Sequence, residues 1–218
     1  MPSPAVAPAI MGTFLPYLTA LKEVVVMVAA ATGAIVAVKG LTAWKRQLAG
    51  KTEYEVALKF LRAVYKVRDA ISQVRNPFMS VAEIATALKE TDMAPESDPG
   101  QVPGHITQAA TYTVRWKTVT EAWSDLQITI LEAEALWGEQ VVKLVSPLRK
   151  CVSELNVSIN MYLRDSADPK GERTFREHHE KVFQVLYWVS DDSKEDSFSG
   201  KMQEAVRAVE SFIRPQLK

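Results

Sequence analysis

Between Glu23 and Lys39 the chain runs fifteen residues without a charge, VVVMVAAATGAIVAV. A stretch like this has three ordinary fates: a membrane anchor, a cleaved signal, or the buried helix of a soluble fold. Fifteen is short against the roughly 20 residues that cross a hydrocarbon core. Two features lengthen it. Lys39 can lay its stem along Gly40 and Leu41 and keep its ammonium at the interface. On the other side, residues 14 to 21 are apolar apart from Thr19. A secretory signal carries its cations before the apolar core, whereas here the first 21 residues hold no Lys or Arg. The charges follow the core instead. Lys39, Trp44, Lys45, Arg46 and Lys51 read as residues that fix topology and meet lipid headgroups: an interfacial aromatic and a basic neck. The excess of cations on that side predicts the N-terminus outside and everything after residue 44 in the cytoplasm.

The charge balance divides the chain at the same place. Residues 1 to 51 contain five Lys/Arg and one acid, leaving 21 basic and 25 acidic residues in 52 to 218. An acidic remainder excludes nucleic acid as the expected partner, because that needs a clustered basic footprint. One cysteine, Cys151, cannot form an internal disulfide and fits a reducing compartment.

The organisation expected is a disordered tail at 1 to 13, MPSPAVAP being proline-rich and aperiodic, an anchor helix at 14 to 44, a basic neck at 45 to 52 and a cytoplasmic helical domain at 53 to 218. Gly50 and the box Thr52-Glu53-Tyr54-Glu55 mark either a fresh helix start or a soft joint in one long helix. Asn76-Pro77 stops that helix near Arg75, and Ser80-Val81-Ala82-Glu83 opens a short one to about Glu90. TDMAPESDPGQVPG, residues 91 to 104, is a loop. Two heptad stripes follow: Tyr112, Trp116, Val119, Trp123, Leu126, Ile130, Ala133, Trp137, and Val141, Val145, Leu148, Val152, Leu155, Ile159, Tyr162. Both are seams of a coiled coil or antiparallel bundle. Gly138 separates them, and Ser146-Pro147 is either an N-cap or an interruption within the second helix. A further face at Phe175, Val182, Leu186 and Val189 and a last helix through Met202, Val206, Val209 and Ile213 complete the chain. No segment alternates with period two, so the class expected is all-α, an N-terminal transmembrane helix followed by an elongated antiparallel helical bundle.

TAWKRQLAGKTEYEVALKFLRAVYKVRDAI at 42 to 71, VRNPF at 74 to 78, LEAEALWG at 131 to 138 and VESFIRPQLK at 209 to 218 give the chain a resemblance to a group of bacterial proteins with one N-terminal membrane helix and a helical cytoplasmic region. The group has no assigned activity. The resemblance implies the topology and a bacterial inner membrane, and it implies no mechanism.

In FREHHEKVF, His178 and His179 are neighbours pointing about 100° apart, so they do not make a metal site on one helix, where ligands need i, i+3 or i+4 spacing. His179 lies on the helical stripe and reads as a packed core histidine. Arg68 and Asp69 are the candidate buried polar pair or binding site: Ala57, Leu61, Val64, Arg68 and Ile71 share a face, and a cation there must be paired, for example with Glu121 or Asp125. The three tryptophans on the first stripe read as core fillers, and Cys151, with no histidine in helical reach, as a buried thiol. Ala29, Gly33 and Ala37, four apart inside the apolar stretch, are the candidate membrane-helix contact through which the chain would form a homo-oligomer. No catalytic, cofactor or metal motif is present, so neither enzyme activity nor a cofactor is expected. The expected role is a membrane-tethered interaction or scaffold module bound to lipids and a protein partner. An oligomerising or pore-forming membrane effector is the first alternative, and a ligand- or metal-binding helical bundle the second.

Overall fold

The computed structural model describes the backbone of residues 7–93, 102–167, 176–187 and 196–217, and the side chains of 17–93, 102–167, 180–187 and 196–217. These residues are helical throughout, with no strand among them: α1 (Ala7–Val74), α2 (Val81–Glu90), α3 (Gly104–Trp137), α4 (Gln140–Ala167), α5 (Arg176–Leu186) and α6 (Ser197–Ile213), then a 3-10 turn at Arg214–Leu217. The chain separates into two compact units, Met1–Thr52 and Glu53–Lys218.

The first unit is the N-terminal part of α1. The helix already begins at Ala7, inside the segment expected as a tail. Every side chain from 17 to 55 is exposed. This helix is long and apolar enough to cross a membrane. The hydroxyls of Thr32, Thr42 and Thr52 donate back to the carbonyls of Val28, Val38 and Leu48 (2.7, 2.8 and 3.0 Å), so each polar side chain is satisfied within the helix. Thr52 is thereby a helical residue and not a cap, and of the two readings of Gly50 to Glu55 the continuous helix holds.

In the second unit, α1 buries Val56, Phe60, Ala63, Val67, Ala70 and Val74, an unbroken heptad run, with Ala57, Val64 and Ile71 beside it. Two ion pairs fix its direction against α3: Lys59–Glu132 (3.6 Å) and Lys66–Asp125 (3.0 Å). Partners descend on α3 as positions rise on α1, so the two helices run antiparallel. Tyr65 Oη donates to Glu210 Oε1 (2.7 Å) and ties α1 to α6.

Asn76-Pro77 ends α1 as expected. Ser80 caps α2, its hydroxyl accepting from the Glu83 amide (3.1 Å). At the other end Asp92 takes a left-handed conformation (φ 56°), and the Met93 amide reaches back to the Leu88 carbonyl (3.0 Å), a six-residue closure that satisfies a terminal acceptor. A small separate apolar cluster of Ala87, Leu88 and Ala110 seats α2 on the start of α3. Residues 94 to 101 of the expected loop lie outside the described residues.

Both heptad stripes face the main core. On α3, Tyr112, Val119, Leu126, Ile130 and Ala133 are buried and Trp116, Trp123 and Trp137 pack against them half-buried; on α4, all but Val152 and Tyr162 are fully buried. Gly138 ends α3 at φ 78°, a conformation that costs a residue with a Cβ, which explains glycine in so short a connection. Pro147 lies within α4 on its exposed side, so it is an interior proline and not a helix start. Met202, Val206, Val209 and Ile213 of α6 are buried as the pattern requires. Leu186 is buried and Val182 half-buried on α5, while Phe175 and Val189 lie outside the described residues.

Candidate functional site

Arg68 and Asp69 do pair with each other (2.8 Å), but at the surface: their side chains are 38% and 64% exposed. Arg68 rests over the Tyr65 ring (4.7 Å). The expected buried site is therefore corrected. The buried face of α1 is centred on Phe60, Ala63, Val67 and Val74, one step around the helix from the stripe through Leu61 and Arg68. Asp125, offered as its partner, is taken by Lys66, and Glu121 is exposed.

Among the described residues two other arginines are buried. Arg75 follows α1 directly and is 1% exposed. Its Nε donates to the Val185 carbonyl (2.7 Å), one terminal nitrogen to Ser199 Oγ (2.6 Å), and the other to the carbonyls of Gln184 (3.1 Å) and Tyr187 (2.9 Å) and to both Asp196 carboxylate oxygens (3.1 Å each). The guanidinium lies over Phe198 (4.6 Å). One side chain thus caps the C-terminal carbonyls of α5 and holds the residue that caps α6, since Asp196 also accepts from the Ser199 amide (2.9 Å). Burial disfavours the Asp196 carboxylate, but the Ser199 hydroxyl and amide and the Arg75 guanidinium outweigh it and hold its pKa below the ordinary value.

Arg115 does the equivalent work at the other connection. It forks onto Glu83 (Nε to Oε1 2.6 Å, terminal nitrogen to Oε2 2.9 Å) and donates to the carbonyls of Asn76 (2.5 Å) and Phe78 (2.7 Å). That hydrogen-bonded pairing is the main reason the Glu83 carboxyl is held low; burial opposes it. Asn76 Oδ1 accepts from the Phe78 amide (3.0 Å), an Asx turn. The result is a fixed turn from which Phe78 (72%) and Val81 (85%) project, beside a shallow cavity of about 350 Å³ bounded by Gln73, Ser80, Val114 and Thr118.

Chemically, both guanidiniums are committed to carbonyls and carboxylates and have no fork left for a substrate. Their arrangement locks connections. Sequence reasoning missed both, although Arg115 stands on a heptad run of its own, Tyr112, Arg115, Val119, Ala122, Leu126, all buried. Cys151 is buried as expected, and burial pushes its thiol pKa up. Tyr162 meets Tyr112, Phe183 and Tyr187 edge to face with centroids 5.9 to 6.4 Å apart, and Phe183 stacks on Tyr187 at 5.2 Å. Among the described residues no group of three or more His, Cys, Asp or Glu could hold a metal ion. The side chains of His178 and His179 lie outside the described residues.

Ala29, Gly33, Ala37, Lys39, Trp44, Lys45, Arg46 and Lys51 are all exposed on α1, and a Cβ built on Gly33 would meet nothing within 4 Å. Comparisons with protein-family models, with curated proteins and with solved structures give no match for this chain.

Proposed function

We propose that the chain is a single-pass protein of a bacterial inner membrane, N-terminus outside, whose residues 53 to 218 form an elongated antiparallel bundle in the cytoplasm and work as an interaction or scaffold module. One observation carries the reading: the apolar part of α1 has nothing covering it. Val24, Val25, Val26, Met27, Val28, Ile35, Val36 and Val38 are each more than half exposed. Full burial of such a side chain is worth about 1.5–3 kcal/mol, so eight of them left in water forgo on the order of 10 kcal/mol, as much as a whole domain's stability. Lipid removes that cost, and the back-bonded threonines suit a helix in a medium with no other hydrogen-bond partner.

The neck supports spanning over lying in the membrane plane. An interfacial helix gathers its cations on one side. Here Lys39 and Arg46, Trp44 and Lys51, and Lys45 occupy three different sides of the helix, a collar suited to headgroups all around. The absence of a free guanidinium fork at either buried arginine favours binding over chemistry, and the exposed Phe78 and Val81 on a fixed turn supply a surface for a protein partner. A second reading, an oligomerising membrane effector, is favoured by the open face at Ala29, Gly33 and Ala37. Overexpression that collapses the membrane potential would select it.

The test is fractionation with a C-terminal reporter. The full chain should stay in membranes through alkaline extraction and the reporter should be active only in the cytoplasm. A soluble full-length protein, or a reporter active outside, refutes the reading.

A further inference from the structure

The neck cations are not equivalent. With about 100° of rotation per residue, Lys39 and Arg46 fall within about 20° of each other, and the residues between and beyond them on that stripe are Ala43 and Gly50. All four are exposed, and Gly50 faces open space. Trp44 and Lys51 share another stripe, but Gln47 and Leu48 fill the ground between them. Lys45 stands alone on a third side. Only the first pair has none but small side chains on the ground between its members, the Ala43 methyl and Thr42, whose hydroxyl is turned back onto the Val38 carbonyl (2.8 Å).

The direction of the side chains closes that gap. Lys39 and Arg46 are about 10.5 Å apart along the axis, within the joint reach of two long side chains. Helical side chains tilt toward the N-terminus, so Arg46 leans back over Ala43. Lys39 adjoins the apolar segment and has to send its ammonium toward water, which in the proposed orientation is toward Arg46. Both heads therefore converge on the level of Ala43. No acidic residue stands between Glu23 and Glu53 to neutralise them from within the helix. N-terminal to Lys39 the same stripe continues as Ile35, Thr32 and Val28, and Thr32 keeps its hydroxyl turned back onto the Val28 carbonyl (2.7 Å).

Resting on the membrane-spanning reading, we propose that Lys39, Ala43 and Arg46 form a binding site for the headgroup phosphate of an anionic glycerophospholipid. The phosphate sits against the Ala43 methyl between the Lys39 ammonium and the Arg46 fork, which matches phosphate oxygens two at a time. One acyl chain lies along Ile35 and Val28. This stripe is a different side of the helix from Ala29, Gly33 and Ala37, so a bound lipid leaves that face open.

The experiment uses the full chain reconstituted in phosphatidylcholine vesicles containing a trace of spin-labelled phosphatidylglycerol or spin-labelled phosphatidylcholine, with the motionally restricted fraction of each read by electron paramagnetic resonance. The wild type should hold the anionic probe about fivefold over the zwitterionic one, the scale of one cation near a charged headgroup layer. K39Q/R46Q should bring that ratio close to one. K45Q/K51Q removes the same charge and should keep most of the preference, and Ala43→Leu should lose it with no change of charge. Equal losses in the two double variants would mean diffuse attraction without a site, and an unaffected Ala43→Leu would remove the clasp; either overturns the proposal. Displacement of the probe by millimolar inorganic phosphate would overturn it as well, showing an ion site in place of a lipid site. Failure of the wild type to enter vesicles overturns the membrane reading with it, whereas entry without preference overturns the site alone.

Discussion

Arg75→Met tests the buried lock at the end of α1. Methionine keeps most of the stem volume and removes every donor. What remains is the Asp196 carboxylate, 6% exposed, without its cation, and the carbonyls of Gln184, Val185 and Tyr187 without Arg75. Removing one partner of a buried ion pair costs about 3–5 kcal/mol, because the other charge stays in place uncompensated. Arg68→Met is the control: its partner is a solvated neighbour on the same helix, and exposed pairs are worth about 0–1 kcal/mol. Urea unfolding of the full chain in mild detergent, followed by near-ultraviolet circular dichroism, reads both. A second variant separates charge from capping. Arg75→Met with Asp196→Leu removes the stranded carboxylate, yet it should recover only part of the loss, because the three carbonyls and the α6 cap are still unmet. Costs for Arg75→Met below about 1 kcal/mol, or equal to those of Arg68→Met, would refute the reasoning, and full recovery in the double variant would show that the carbonyls contribute nothing.

Acid should unlock both arginine clusters. Asp196 and Glu83 have folded pKa values below their unfolded ones, so the folded state binds fewer protons. Their stabilisation is complete above the ordinary carboxylate range near pH 4 and is lost as pH falls through the folded values. Asp196→Asn should therefore lower stability at pH 7 and flatten its fall below about pH 4, and an unchanged slope would contradict this. Residues 53 to 218 expressed alone should be soluble and strongly helical, since the apolar faces of α3, α4 and α6 and residues 56 to 74 of α1 bury one another; aggregation or weak helicity by far-ultraviolet circular dichroism would break the two-part division. Gly33→Leu should reduce self-association of the membrane segment in a bilayer reporter assay while Val26→Leu does not. Equal signals would reject that face as a contact.

The positions of the helices were legible because each is a periodic apolar stripe bounded by a local signal. Asn76-Pro77, the Ser80 box and Gly138 act through their own backbone, within a few residues, and a sequence displays such effects directly. The stripes of α3 and α4 hold their predicted residues for the same reason. Arg68 was misplaced because a stripe does not show where the buried face ends: Ala57, Val64 and Ile71 of its run are buried beside Phe60, Ala63, Val67 and Val74, while Leu61 and Arg68 fall at the edge, which only the facing helices set. Arg75 was hidden for another reason. Half of its six acceptors are backbone carbonyls, which every sequence has everywhere, and all are gathered from 109 to 124 positions away. Arg115 was nearer to view, since its own heptad could be traced through Tyr112 and Val119, but a stripe of tryptophans one step around the helix drew the assignment instead.

The distance along the chain between Arg75 and its acceptors also sets an order of events during synthesis. At about 5–20 residues per second, the ribosome needs about 5–25 s to pass from Arg75 to residues 184 to 199. By the time those carbonyls and Asp196 emerge, the apolar part of α1 has long been available to the membrane insertion machinery, and Arg75 has waited in water with its charge solvated. On the proposed membrane-spanning reading, delivery to the bilayer therefore precedes closure of the domain. The arrival of α5 and α6 is the step that withdraws Arg75 from solvent, and a chain released before Asp196 would be an inserted protein whose latch has no keeper.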